Sequence, residues 1–131
     1  MHGVVDPYQT AKTDVIVVED EGGTRRALSL LLELNGFITA AAASAEEALS
    51  MLSKGAAPTF VLVDLDLPGM NGIEFINCLQ KSGLHVQPVL LTAADKDRVA
   101  RIPSGRKLPY LQKPIDFAKL LQMLRRLQIE D

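Results

Sequence analysis

The chain has one cysteine, Cys78, in 131 residues, so no internal disulfide forms; at this length one buried core suffices without it. Cys78 falls in a helical pattern and reads as a small packed hydrophobe. The two histidines, His2 and His85, lie far apart, and no Cys/His cluster has the spacing of a zinc site. No apolar run approaches the roughly 20 residues that span a bilayer. The N-terminal MHGVVDPYQTAK lacks the apolar core of a signal peptide, so a cytoplasmic protein without membrane attachment is expected. A net charge of −2 gives no general attraction to nucleic acid or to an anionic membrane. Residues 1–13 show no periodicity and read as a flexible N-terminal arm; 14–131 read as one domain. No helix-turn-helix follows the last helix, so direct nucleic-acid binding is not expected.

What the chain does have is an alternation of apolar runs with helical patterns, which predicts an α/β fold with a parallel sheet. The strands are expected over 14–18, 37–41, 60–63, 88–91 and 110–112. Between them, helices are expected over 24–35, with Ala27, Leu28, Leu31 and Leu34 at helical spacing, over a segment opened by the Ser44/Glu47 capping box, with Ala48, Leu49 and Leu52 inward, and over 72–82, with Ile73, Ile76 and Leu79 buried. Asp116 caps a last helix carrying a stripe of Phe117, Leu120, Leu121 and Leu124. The crossover between the fourth and fifth strands is weak: Asp95 can cap only 96–102 before Pro103, Ser104 and Gly105 interrupt, so a short or distorted fourth helix is predicted.

Four polar residues end four of the apolar runs. Asp20 follows VIVV, Asp64 ends FVLV, Thr92 ends VLL and Lys113 follows PYLQ. A parallel sheet gathers the carboxyl ends of its strands on one edge, where ligands bind. Right-handed crossovers leave the strand orders 3-2-1-4-5 and 2-1-3-4-5 open. In the second, Glu19 and Asp20 come beside Asp64 and Asp66, since neighbouring strands are about 4.8 Å apart. Such carboxylates repel one another unless a cation intervenes, and Mg²⁺ suits a small oxygen-lined site. Lys113 and Thr92 add a positive charge and a hydroxyl donor, the groups a transferring phosphoryl needs. A carboxylate can itself be the nucleophile, and Asp64 is the best placed.

The pieces VIVVEDE, FVLVDLDLPGMNG, LLTA and YLQKP, in that order, resemble the receiver domain of two-component response regulators over about 14–128. The resemblance implies a flavodoxin-like, doubly wound, five-stranded sheet of order 2-1-3-4-5 with helices on both faces. It implies that Asp64 accepts a phosphoryl group from a histidine kinase or histidine phosphotransfer protein, and that the domain then switches conformation to control a partner. Asp20 and Asp64 would bind Mg²⁺ through their carboxylates, Asp66 through its backbone carbonyl and Glu19 through water. Thr92 and Lys113 would hold phosphoryl oxygens, and Tyr110 would be the aromatic that moves inward as Thr92 engages. The Lys113–Pro114 bond would be cis, and Ala93 would leave the site open to the donor. Such a domain is a signalling module that catalyses only its own phosphorylation and dephosphorylation.

Plainer alternatives stand beside these roles. Glu21 reads as a helix-start charge favoured by the helix dipole. Tyr110 is as well explained by core packing, and the basic run Lys96, Arg98, Arg101, Arg106 and Lys107 by a solvated face. The DLD at Asp64 and Asp66 also looks like the nucleophile and acid of haloacid-dehalogenase-type phosphatases, but there it belongs on the first strand. A degenerate receiver acting only by docking is a third reading. The weak fourth helix makes signalling, or a homodimer, through that face less expected than contact through the last helix around Arg125.

Overall fold

The β-branched and leucine runs form the strands, and their burial on both faces explains their unbroken apolar character. A computed structural model of the chain describes residues 13–102 and 108–129. In chain order the elements are β1 (Val15–Val18), α1 (Gly22–Leu34), β2 (Thr39–Ala42), α2 (Ala45–Ser53), β3 (Phe60–Asp64), α3 (Gly72–Ser82), β4 (Gln87–Thr92), α4 (Lys96–Ala100), β5 (Tyr110–Gln112) and α5 (Phe117–Ile129). The strands form one parallel sheet of order β2-β1-β3-β4-β5. This is the flavodoxin-like order, one of the two that the sequence left open.

Alternate residues of the central strands feed two separate cores. Ile16, Val18, Val61, Val63 and Leu90 face Ala45, Ala48 and Leu52 of α2 and Phe75, Ile76 and Leu79 of α3. Val15, Val17, Phe60, Leu62, Val89 and Leu91 face Leu28 and Leu32 of α1 and Leu120 and Leu124 of α5. The sheet is therefore sandwiched, and at its carboxyl edge the strand-end polar groups Glu19, Asp20, Asp64 and Lys113 come together.

Several expectations shift. α1 starts at Gly22, two residues early, because the Glu21 side chain caps it by accepting from the N–H groups of Gly23 and Thr24. Its buried face is Leu28 and Leu32; Ala27, Leu31 and Leu34 point outward, Leu34 being 72% exposed. The leucines at 28, 30, 31, 32 and 34 surround the helix, so spacing alone could not phase it. β2 runs over Thr39–Ala42, and Phe37 instead packs against the α1/α5 core. Ser44 caps α2, but the Glu47 carboxylate accepts from the N–H of Ala43, one residue before the cap. The reciprocal capping box is at α3, between Asn71 and Glu74. There Phe75 is fully buried while Ile73 is only half-buried.

α4 is five residues long, capped by Asp95 and without a fully buried side chain, as the sparse apolar content implied. Pro103, Ser104, Gly105, Arg106 and Lys107 lie outside the described residues, as do 1–12 of the expected arm; Thr13 is buried.

Candidate functional site

The parallel registers decide which strand ends meet. Val18 of β1 pairs with Val63 of β3, so Glu19 and Asp64 follow side by side. Asp64 in turn pairs with Leu91, one residue before Thr92. The N–H of Lys113 donates to the carbonyl of Thr92 at 2.7 Å, which carries the short β5 to the same edge. Lys113 Nζ reaches back across the edge to Glu19 Oε1 at 2.6 Å and Asp64 Oδ2 at 3.0 Å. The Lys113–Pro114 peptide is cis.

Carboxylate oxygens of Glu19, Asp20 and Asp64 lie within 4.8 Å of one another. Glu19 is fully buried and Asp64 nearly so, whereas Asp20 is exposed and opens the cluster to solvent. Burial pushes the Glu19 carboxyl above its ordinary value, against the hydrogen bond from Lys113. Burial also works against the Lys113 ammonium, but its hydrogen bonds to Glu19 and Asp64 outweigh that and hold its pKa above the ordinary value. One ammonium thus serves two buried carboxylates. Three all-oxygen donors, one open to water, fit a small hard cation.

Local backbone devices aim these groups. The N–H of Asp66 donates to Asp64 Oδ1 at 3.0 Å, so both oxygens of Asp64 are engaged. Gly72, the first residue of α3, touches the end of β3: a Cβ there would stand 2.6 Å from the Asp64 carbonyl oxygen. Gly69 has φ +72, a conformation that costs glycine nothing and lets the loop turn back toward α3. Arg25 Nη1 donates to the carbonyls of Glu19 at 2.9 Å and Asp20 at 3.3 Å, tying α1 to the acidic loop. Hydrogen bonds from Thr24 and Gly23 draw the Glu21 carboxyl down to about 2. Glu21 is thus a helix cap, the plainer of its readings.

Two of the residues at this edge are turned elsewhere. Thr92 is fully buried, and its hydroxyl accepts from the N–H of Ala94 at 2.9 Å. The Asp66 carboxylate stands outside the acidic cluster and accepts from Arg98 Nη2 at 2.8 Å. Tyr110 is half-buried and packs against the α2/α3 core. Sequence reasoning missed both arginines. Arg25 acts through backbone carbonyls five and six residues before it, and Arg98 sits in a basic run that a solvated face explains equally well.

Known proteins resemble this chain in sequence and in fold. The family model of the response regulator receiver domain matches residues 15–125. A 14.6 kDa protein from the sodA1 3′ region of Leptolyngbya boryana is 34% identical over 119 residues, covering 88% of this chain and 89% of that protein. The alkaline phosphatase synthesis transcriptional regulatory protein SphR of Synechococcus elongatus is 32% identical over 134 residues, covering 95% of this chain but 52% of SphR. The chain therefore spans about half the length of that regulator. Among solved structures, the response regulator TrrA of Thermotoga maritima, in complex with Mg²⁺–BeF, superimposes with a TM-score of 0.77 at 27% identity, covering 88% of this chain and 98% of TrrA.

Proposed function

The chain belongs to the response regulator receiver domain family, and from that membership we propose that Asp64 is its phospho-acceptor. A two-component receiver is a signalling module, and its product is a changed population of conformers. The observation that carries the assignment is the Lys113 ammonium joined to both Asp64 and Glu19, with Asp20 completing the cluster.

In this reading the donor is a phosphorylated histidine of a kinase or phosphotransfer protein, or a small acyl phosphate. A carboxylate oxygen of Asp64 attacks phosphorus. An O–P bond forms as the bond from phosphorus to the imidazole nitrogen or to acetate breaks, and the electron pair departs with that leaving group. Lys113 stays within reach of the charge that builds on the phosphoryl oxygens. The Thr92 hydroxyl leaves the Ala94 N–H to donate to one of those oxygens, and Tyr110 follows inward. Asp20, Asp64, the Asp66 carbonyl and, through water, Glu19 would hold Mg²⁺, which supplies Lewis-acid neutralisation of phosphoryl charge when bound. The Mg²⁺–BeF complex of TrrA supports that cofactor.

The haloacid-dehalogenase alternative needs the Asp66 carboxylate aimed into the cleft as an acid. It is bonded to Arg98 instead, and Asp64 ends the third strand. Among the described residues no helix is long and apolar enough to cross a membrane; a cytoplasmic kinase or phosphotransfer partner is part of the same proposal.

The test is incubation with acetyl phosphate and Mg²⁺ followed by intact-protein mass spectrometry. The parent gains one phosphate; Asp64→Asn gains none, and omission of Mg²⁺ lowers the yield. Equal labelling of Asp64→Asn would remove the acceptor assignment.

A further inference from the structure

Of the acidic side chains Glu19, Asp20, Asp64 and Asp66 at the ends of β1 and β3, only three converge. Glu19, Asp20 and Asp64 bring oxygens within 4.8 Å of one another. The fourth, Asp66, is adjacent in every other respect, since its N–H is bonded to Asp64 Oδ1. Its carboxylate instead meets the Arg98 guanidinium, presented by α4 from 32 residues away. Both side chains are well exposed, at 58% for Arg98 and 46% for Asp66. α4 is short, has no fully buried side chain and is capped by Asp95, which accepts from the Arg98 N–H. The cap sets the backbone from which Arg98 reaches over the mouth of the site.

We propose that Arg98 is a positioning residue that holds the Asp66 carboxylate out of the acidic cluster and neutralises it at the entrance. The inference rests on the phospho-acceptor reading of Asp64. Its physics is Coulombic. A free Asp66 carboxylate at the mouth attracts a divalent cation and repels an anionic phosphoryl donor. Pairing with Arg98 cancels both effects. The pair therefore trades cation affinity for donor access.

Opposite changes in two quantities distinguish this from a role in folding α4. In Arg98→Ala, Mg²⁺ binding measured by titration calorimetry tightens by about two- to fivefold, the range an exposed pair can supply. In the same variant the acetyl phosphate concentration giving half-maximal labelling rises by a similar factor. Arg98→Lys restores parental values in large part. In the Asp66→Asn background, Arg98→Ala has a clearly smaller effect on both quantities, because only the field of the guanidinium is lost and no carboxylate is released toward the cluster. Mg²⁺ affinity that is unchanged or weaker in Arg98→Ala overturns the inference, as does an effect of Arg98→Ala that is undiminished in the Asp66→Asn background. A parent that takes neither Mg²⁺ nor phosphate overturns the phospho-acceptor reading first and this inference with it.

Discussion

Gly72→Ala tests how closely α3 is docked on the strand that carries Asp64. A Cβ at this position would stand 2.6 Å from the Asp64 carbonyl oxygen and 2.9 Å from Leu65 Cα, both backbone atoms that cannot swing aside. The N–H of Gly72 also donates to the Leu65 carbonyl at 3.1 Å, so relief by shifting the helix costs a hydrogen bond. Overpacking of this kind costs about 1–3 kcal/mol. The helix propensity gained on replacing glycine returns up to about 1 kcal/mol. The net expectation is a loss of about 1–2 kcal/mol, or roughly 4–8 °C in Tm for a domain of this size. Gly22 is the control, since it occupies the equivalent first position of α1. A Cβ there meets Arg26 Nη1 at 3.2 Å, the far end of a flexible side chain. Gly22→Ala is therefore expected to leave Tm unchanged or raised. Thermal and urea melts followed by far-ultraviolet circular dichroism measure both variants. A Gly72→Ala protein as stable as the parent, or a Gly22→Ala protein that loses as much, refutes the reasoning.

Leu32→Ala, at a fully buried site, should cost about 2–5 kcal/mol, while Leu31→Ala, on the exposed side of the same helix, should cost under about 1 kcal/mol; urea midpoints of the pair decide which face α1 buries. Lys113→Met leaves the buried Glu19 and Asp64 carboxylates without their shared cation, and because Lys113 is partly exposed the expected loss is about 2–3 kcal/mol at pH 7. That loss depends on pH. The Glu19 carboxyl is raised above 4.5 by burial, so its contribution is complete below about pH 4.5 and is lost as pH rises through the raised value. Removing Lys113 deepens this, and the deficit of the variant should shrink between pH 7 and pH 4; an equal deficit at both values contradicts the shared-cation account.

The sequence made the sheet and its polar edge legible because parallel strands buried on two faces leave unbroken apolar runs, and polar residues ending such runs stand out. Asp20, Asp64, Thr92 and Lys113 were visible for that reason. Periodicity could not choose between two strand orders, since both obey the same crossover rule; that choice came from the motif resemblance. α1 was mis-phased because its leucines encircle it, and the Asn71/Glu74 box was passed over in a segment dense with turn residues. Arg25 and Arg98 were not found because each acts through a contact that sequence spacing does not encode: a pair of carbonyls in one case, a carboxylate on a distant loop in the other.

The resting bond between the Thr92 hydroxyl and the Ala94 N–H limits what that hydroxyl can do as a trigger. On its proposed role it exchanges a neutral acceptor bond for a charge-assisted one to phosphate, a gain of about 1–1.5 kcal/mol and so roughly a tenfold bias. Turning a 1:99 mixture into 99:1 requires about 5.5 kcal/mol. On the proposed role, threonine alone would tilt the balance without tipping it, and phosphate charge placed beside Lys113 would supply a further part of the drive. If Asp64 takes the phosphate as proposed, such a receiver would respond in degrees, its active fraction scaling with how well the ammonium and the cation together grip the new phosphate.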